Sequence, residues 1–128
     1  MDGIYHVWFS TKGRKPTLEG DIGDDAKRLL VETARRTGIN LLEIEAAIDH
    51  VHLLVRTSGS QTLPSVMHQL KGATARLIFS EYPELKLDLG QSSFWQKGYG
   101  WRRLTEAEAP AVRNYVRTQR ERPYRHNM

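Results

Sequence analysis

A chain of 128 residues with 39% apolar and 27% charged side chains can bury a core without disulfides or a structural metal, and residues 1–128 read as one domain. The absence of cysteine excludes a disulfide framework, a thiolate nucleophile and a cysteine-based zinc site. No apolar run approaches the ~20 residues that span a bilayer, and Met1–Tyr5 lacks the basic start and apolar stretch of a signal peptide, so a cytoplasmic, non-membrane protein is expected.

Residues 4–10, aromatic and β-branched, read as a first strand. Residues 11–23 contain Gly13, Pro16, Gly20 and Gly23 and read as a loop. Asp24 and Asp25 then mark a helix start, Ala26, Leu29, Leu30, Thr33, Ala34 and Thr37 follow at helical spacing, and Gly38 closes the helix. Two strands come next, at about 40–47 and 49–57, with a poorly marked break at Ala46-Ala47 or Asp49. Leu63, Val66, Met67, Leu70, Ala73, Leu77 and Ile78 form the stripe of a second helix, with Pro64 in its first turn and its end before Pro83. Residues 84–93 read as irregular, and 94–101 begin like a strand whose two glycines suggest a bulge or a close backbone approach. Thr105 and Glu108 match a capping box. Pro110 argues for a start near Ala109, and the helix carries Val112, Tyr115, Val116 and Gln119 before ending ahead of Pro123.

The order strand, helix, strand, strand, helix, strand, helix predicts an α+β, ferredoxin-like (RRM-like) domain. An antiparallel sheet carries two helices on one face, and a C-terminal helix is added. In that frame His50 and His52 lie on a central strand. Alternation turns them to the same side and Val51 and Leu53 to the other. Two imidazoles on a rigid strand can begin a divalent-metal site, although an isolated His-x-His pair more often is two buried histidines satisfied by a carbonyl or water. By alternation, Asp49 is expected on the opposite face.

The net charge of +4 leans towards a polyanionic partner. Lys12, Arg14 and Lys15 cluster in the first loop, Lys71 and Arg76 face away from the second helix's apolar stripe, and Arg113, Arg117, Arg120, Arg122 and Arg125 crowd the C-terminal end. Such residues can follow a phosphate backbone or simply be solvated. Trp95, Tyr99 and Trp101 can stack on unpaired bases or pack.

The set of motifs is similar to a known family. His50-Val51-His52, within Asp49–Val55, resembles the histidine–hydrophobic–histidine (HUH) motif of single-tyrosine transposases. These serve insertion sequences of the IS-two-hundred/IS-six-hundred-and-five type and include the REP-associated tyrosine transposases. Leu70-Lys71-Gly72-x-x-Ala75-Arg76, Phe94-Trp95-Gln96-x-Gly98-Tyr99 and Tyr115-Val116-x-x-Gln119 extend the likeness from about Tyr5 to Gln119. By periodicity alone Tyr115 reads as a core residue; the resemblance implies that it is the nucleophile. It also implies that His50, His52 and Gln119 hold Mg²⁺ or Mn²⁺, and that single-stranded DNA is cleaved and rejoined through a 5′-phosphotyrosine link. Further implied are hairpin-forming DNA ends and a homodimer with shared active sites. Helical i,i+4 spacing would put Tyr115 and Gln119 on one face. Trp101–Leu104 departs from the small and hydroxyl residues expected there. Two other readings are a non-catalytic ferredoxin-like module that binds single-stranded nucleic acid, and a domesticated HUH nickase.

Overall fold

The computed structural model describes residues 2–88 and 93–121. Its strands are β1 (Gly3–Ser10), β2 (Asn40–Ala46), β3 (His50–Thr57) and β4 (Gly100–Leu104); its helices are α1 (Asp21–Thr37), α2 (Leu63–Glu81), the single turn α3 (Leu85–Asp88) and α4 (Ala109–Arg117). The four strands form one antiparallel sheet in the order β2-β3-β1-β4. This is the expected ferredoxin-like arrangement, with β1 and β3 in the centre.

Strand alternation sorts the side chains between two faces. Val7, Phe9, Val51, Leu53 and Val55 enter the larger core with Leu29 and Leu30 of α1 and Met67, Leu70 and Ile78 of α2. Fully burying an aliphatic or aromatic side chain of this kind stabilises by roughly 1.5–3 kcal/mol, so this face dominates the fold. The opposite face carries a smaller cluster of Ile4, Leu54 and Leu104, against which Leu42, Ala109 and Val112 pack. Helix α4 therefore rests on the side of the sheet away from α1 and α2.

Several boundaries differ from the sequence reading. Helix α1 begins at Asp21, so Gly23 lies inside it, where a Cβ would come within 2.1 Å of the Leu18 carbonyl oxygen. Gly23 admits a close approach rather than marking a loop. Strand β4 starts at Gly100, while the Phe94–Tyr99 segment is a loop tied by one bridge between Thr11 and Trp95. The suspected close approach is real: a Cβ on Gly100 would lie 2.1 Å from the Trp8 indole nitrogen. Thr105 and Glu108 exchange the hydrogen bonds of a capping box, yet they close a turn just before α4. That helix ends at Arg117, earlier than expected, and a 3-10 turn covers Gln119–Glu121. The expectations about Arg122 and Arg125 lie outside the described residues, as does part of the 84–93 stretch. Among the described residues no helix is long and apolar enough to cross a membrane.

Candidate active site

The register of β1 against β3 pairs Trp8 with His52 and Ser10 with His50. Alternation then brings His6, Trp8, His50 and His52 to the face that carries α4. His50 and His52 are buried, and their ring centroids lie 4.9 Å apart. His6 stacks beside His52, with its Nε2 2.9 Å from His52 Nδ1.

The Nδ1 atoms of the two motif histidines are both engaged. His50 Nδ1 lies 2.7 Å from Asp49 Oδ1, and the carboxylate can only accept, so Nδ1 carries the proton. Asp49 is fully buried, receives Arg14 Nε on its other oxygen at 3.4 Å, and is pinned through its backbone carbonyl by the Thr11 amide. Its expected position on the opposite face is wrong because β3 starts at His50: Asp49 belongs to the preceding turn, where strand alternation does not apply. In the His6–His52 pair, one nitrogen donates and the other accepts. When His52 donates from Nδ1, its Nε2 holds a free lone pair, as His50 Nε2 does. Burial, then the neighbouring Arg102 guanidinium, lowers the His6 pKa to about 4. Burial first, with His50 and His6 beside it, lowers that of His52 to about 3. Both rings are therefore neutral near pH 7.

Both Nε2 atoms are buried without a hydrogen-bond partner among the described residues. Such atoms normally cost free energy unless something pairs with them. Two bare imidazole nitrogens on alternate positions of a rigid strand suit a divalent cation. No cluster of three His, Cys, Asp or Glu side chains that could hold a metal occurs among the described residues.

Tyr115 on α4 faces these rings. Its ring meets His52 edge-on with centroids 5.8 Å apart and His6 at 5.9 Å, and the residue is 38% exposed. The helix is held by buried Val116 and by Val112 and Ala109 on the smaller cluster. Arg113 and Arg117 both pair with Glu43 of β2, and Arg120 pairs with Asp24 of α1. Gln119 is buried in the 3-10 turn, and its Nε2 donates to the Tyr115 carbonyl at 3.2 Å. It does not share an α-helical face with Tyr115, because the α-helix ends between them.

An open cavity of about 730 Å³ unites His6, His50, His52 and Tyr115 with Arg14, Lys97 and Arg102. Gln119 does not line it. Arg14 is the only non-glycine with positive φ among the described residues, at 54°, a left-handed conformation that costs energy and often marks a functional site. Of the other cations named from sequence, Lys12 and Lys71 line a neighbouring groove, whereas Lys15 and Arg76 are exposed and line neither. Lys71 also turns out to be structural, since its ammonium donates to the carbonyls of Gln96 and Gly98 at 2.9 and 2.5 Å. Trp95 is buried, with its indole nitrogen bonded to Thr74, and packs rather than presenting a stacking face; Tyr99 is half-buried in the cavity wall and Trp101 is exposed. His6 and Arg102 were missed from the sequence. The signal for His6 was available: pairing of the first and third strands, implied by the fold, sets it beside His52.

Three kinds of comparison set the whole chain beside known proteins. The family model described as "Transposase IS200 like" matches residues 1–119. The ISDra2 transposase TnpA of Deinococcus radiodurans is 31% identical over 118 residues, covering 92% of this chain and 84% of that protein. The transposase for insertion sequence element IS200 of Salmonella typhimurium is 26% identical over 95 residues, 74% of this chain and 62% of that one. A crystal structure of a candidate transposase from Deinococcus radiodurans superposes with a TM-score of 0.75 at 29% identity, covering 94% of this chain and 92% of that one. A REP-associated tyrosine transposase bound to a REP hairpin shares the fold, with a TM-score of 0.64 at 10% identity over 89% of this chain and 64% of that one. A match over nearly the whole chain, together with a relative above 30% identity, places this protein in the IS200-like transposase family.

Proposed function

We propose that this transposase cleaves and rejoins single-stranded DNA at insertion-sequence ends, with Tyr115 as nucleophile and Mg²⁺ or Mn²⁺ held by His50 and His52. The observation that carries the reading is that Tyr115 lines one cavity with His50 and His52, whose Nε2 atoms are buried and bare, and that its ring meets that of His52. The Tyr115 hydroxyl gives up its proton to solvent as its oxygen attacks phosphorus, and the bond from phosphorus to the 3′ oxygen breaks. This leaves a 5′-phosphotyrosine and a free 3′-OH once the leaving oxygen gains a proton. Attack by a second 3′-OH on the phosphotyrosine reverses the steps and reseals the strand without a nucleotide cofactor.

When bound, the cation would stabilise charge on the non-bridging phosphate oxygens. Arg14, Lys97 and Arg102 line the same cavity and offer further positive charge to the backbone. Asp49 and His6 fix the orientation of the two imidazoles. As a third ligand Gln119 has only Oε1 to offer, because its Nε2 is committed to the Tyr115 carbonyl. DNA hairpins formed at the element ends are the proposed partners, in line with the hairpin bound by the REP-associated relative. Working as a homodimer with exchanged tyrosine helices belongs to the same proposal. Mixing Tyr115→Phe with His50→Ala chains should then restore some cleavage.

The test is a denaturing gel of labelled single-stranded DNA carrying the hairpins that flank the gene, run with Mg²⁺, Mn²⁺ or EDTA. A metal-dependent covalent protein–DNA band that vanishes in Tyr115→Phe supports the proposal. An adduct that persists in Tyr115→Phe overturns the assignment, and metal-independent binding without cleavage favours a binding module.

A further inference from the structure

A second groove, of about 680 Å³, runs between the first half of α2 and the Ser93–Tyr99 segment. It shares Gln96, Lys97, Gly98 and Tyr99 with the active cavity, so one loop forms the wall between the two. The wall is built in advance. The Gly13 amide donates to Gln96 Oε1, Thr11 bridges Trp95, and Lys71 holds the Gln96 and Gly98 carbonyls from below. Gly98, at φ 86°, makes the bend that a side chain would resist.

The groove's floor is apolar, with buried Met67 and Trp95, and its rim carries Lys12, His68 and Lys97. The chain has 15 acidic residues, yet among the described residues no Asp or Glu lines either the groove or the cavity. Lys12 and Lys97 form no ion pair with the described residues. An apolar floor under a cationic rim matches an unpaired nucleotide, whose base has two apolar faces and whose phosphate is anionic. The volume falls in the range of ~300–1,000 Å³ typical of small-molecule pockets.

We propose that this groove is a nucleotide subsite: the DNA strand leaves the active cavity over the Gln96–Tyr99 wall, and the groove holds the unpaired nucleotides next to the cleavage point. The proposal rests on the reading of the cavity as a single-strand DNA site. Tyr99, shared by both spaces, supplies the stacking surface at the crossing.

The experiment measures fluorescein-labelled oligo-dT of 4 and 12 nucleotides by anisotropy, without metal, between 50 and 200 mM salt. Wild type is compared with Lys12→Gln/Lys97→Gln and with Arg35→Gln/Arg36→Gln, which removes two exposed charges at the end of α1. Each lost phosphate contact should flatten the salt slope by about 0.7, so the lysine pair should lower it by about 1.4. It should also remove most of the advantage of the longer oligonucleotide, and the arginine pair should change neither. Tyr99→Leu should weaken binding at least about fivefold, with Tyr99→Phe close to wild type. Equal losses in the two double variants, or no loss in the lysine pair, overturn the subsite. Because binding is read without metal, groove binding together with no cleavage of hairpin-bearing DNA in Mg²⁺ or Mn²⁺ refutes the cleavage reading alone. Cleavage with intact lysine-variant binding refutes the groove alone.

Discussion

His50 and His52 stand on a strand hydrogen-bonded on both sides and backed by the larger core, whereas Tyr115 stands on a helix of nine residues resting on the smaller cluster. An isolated helix of that length is marginal in water. It is kept in place by Val116, Val112 and Ala109 and by ion pairs whose arginines are half exposed. The histidine wall is therefore rigid, and the tyrosine wall is the part of the site that can move. A metal site gains from rigidity. On the proposed mechanism, a nucleophile that carries a covalently attached strand end to a new partner gains from a helix that is only lightly docked.

The largest effect expected from this contrast is on the rigid wall. His50→Ala or His52→Ala should cut cleavage by on the order of a thousandfold, because charge on the phosphate loses its stabiliser. Circular dichroism should show an intact fold. Loss of one ligand without loss of rate would break the contrast.

The next effect sharpens it. Asp49→Asn and His6→Phe should each weaken Mn²⁺ binding by about 10–100-fold, the usual cost of losing an orienting partner of a metal-bound histidine. Titration calorimetry measures this with no DNA present. Unchanged affinity would mean that the imidazoles are held by packing alone.

Protonation probes the same wall through stability. In EDTA, His6 and His52 have folded pKa values of about 4 and about 3, below the ordinary 6.5. The unfolded chain therefore binds more protons as the pH falls below 6.5. Stability from these residues is fully present above that pH and is lost as the pH falls towards those values. Each histidine contributes a slope on the order of 1.4 kcal/mol per pH unit in that window. Urea unfolding at pH 7.5, 6 and 5 should reveal the slope, and His6→Phe should reduce it by about half.

The smallest effect belongs to the light wall. Glu43→Gln removes the negative charge shared by Arg113 and Arg117 and should cost about 1 kcal/mol or less in global stability. Amide hydrogen exchange should nonetheless accelerate across α4 while β3 stays protected. Equal acceleration in β3 would show that the two walls open together.

Much of this was legible in the sequence because it depended on periodicity. The period of two in Asp49–Val55 gave the shared face of His50 and His52, and the order of elements gave their central strand. What escaped depended on where elements end. Asp49 was misplaced by one residue of strand, and Gln119 by two residues of helix, since no glycine or proline marks the stop at Arg117. Lys71 was read as a free cation because no local pattern reveals that its partners are carbonyls 25 and 27 residues away. His6 stood on a different strand from the motif, and only strand pairing joins it to His52.

The most direct measurement is mass spectrometry of the trypsin-digested protein–DNA adduct, formed with Mn²⁺ on hairpin-bearing single-stranded DNA and trimmed with nuclease. Trypsin cuts after Arg113 and Arg117, so the account predicts a nucleotide 5′-phosphate on the peptide 114–117, which carries Tyr115. A nucleotide on the peptide of Tyr5, Tyr82, Tyr99 or Tyr124 would contradict it, as would cleavage with no peptide adduct at all.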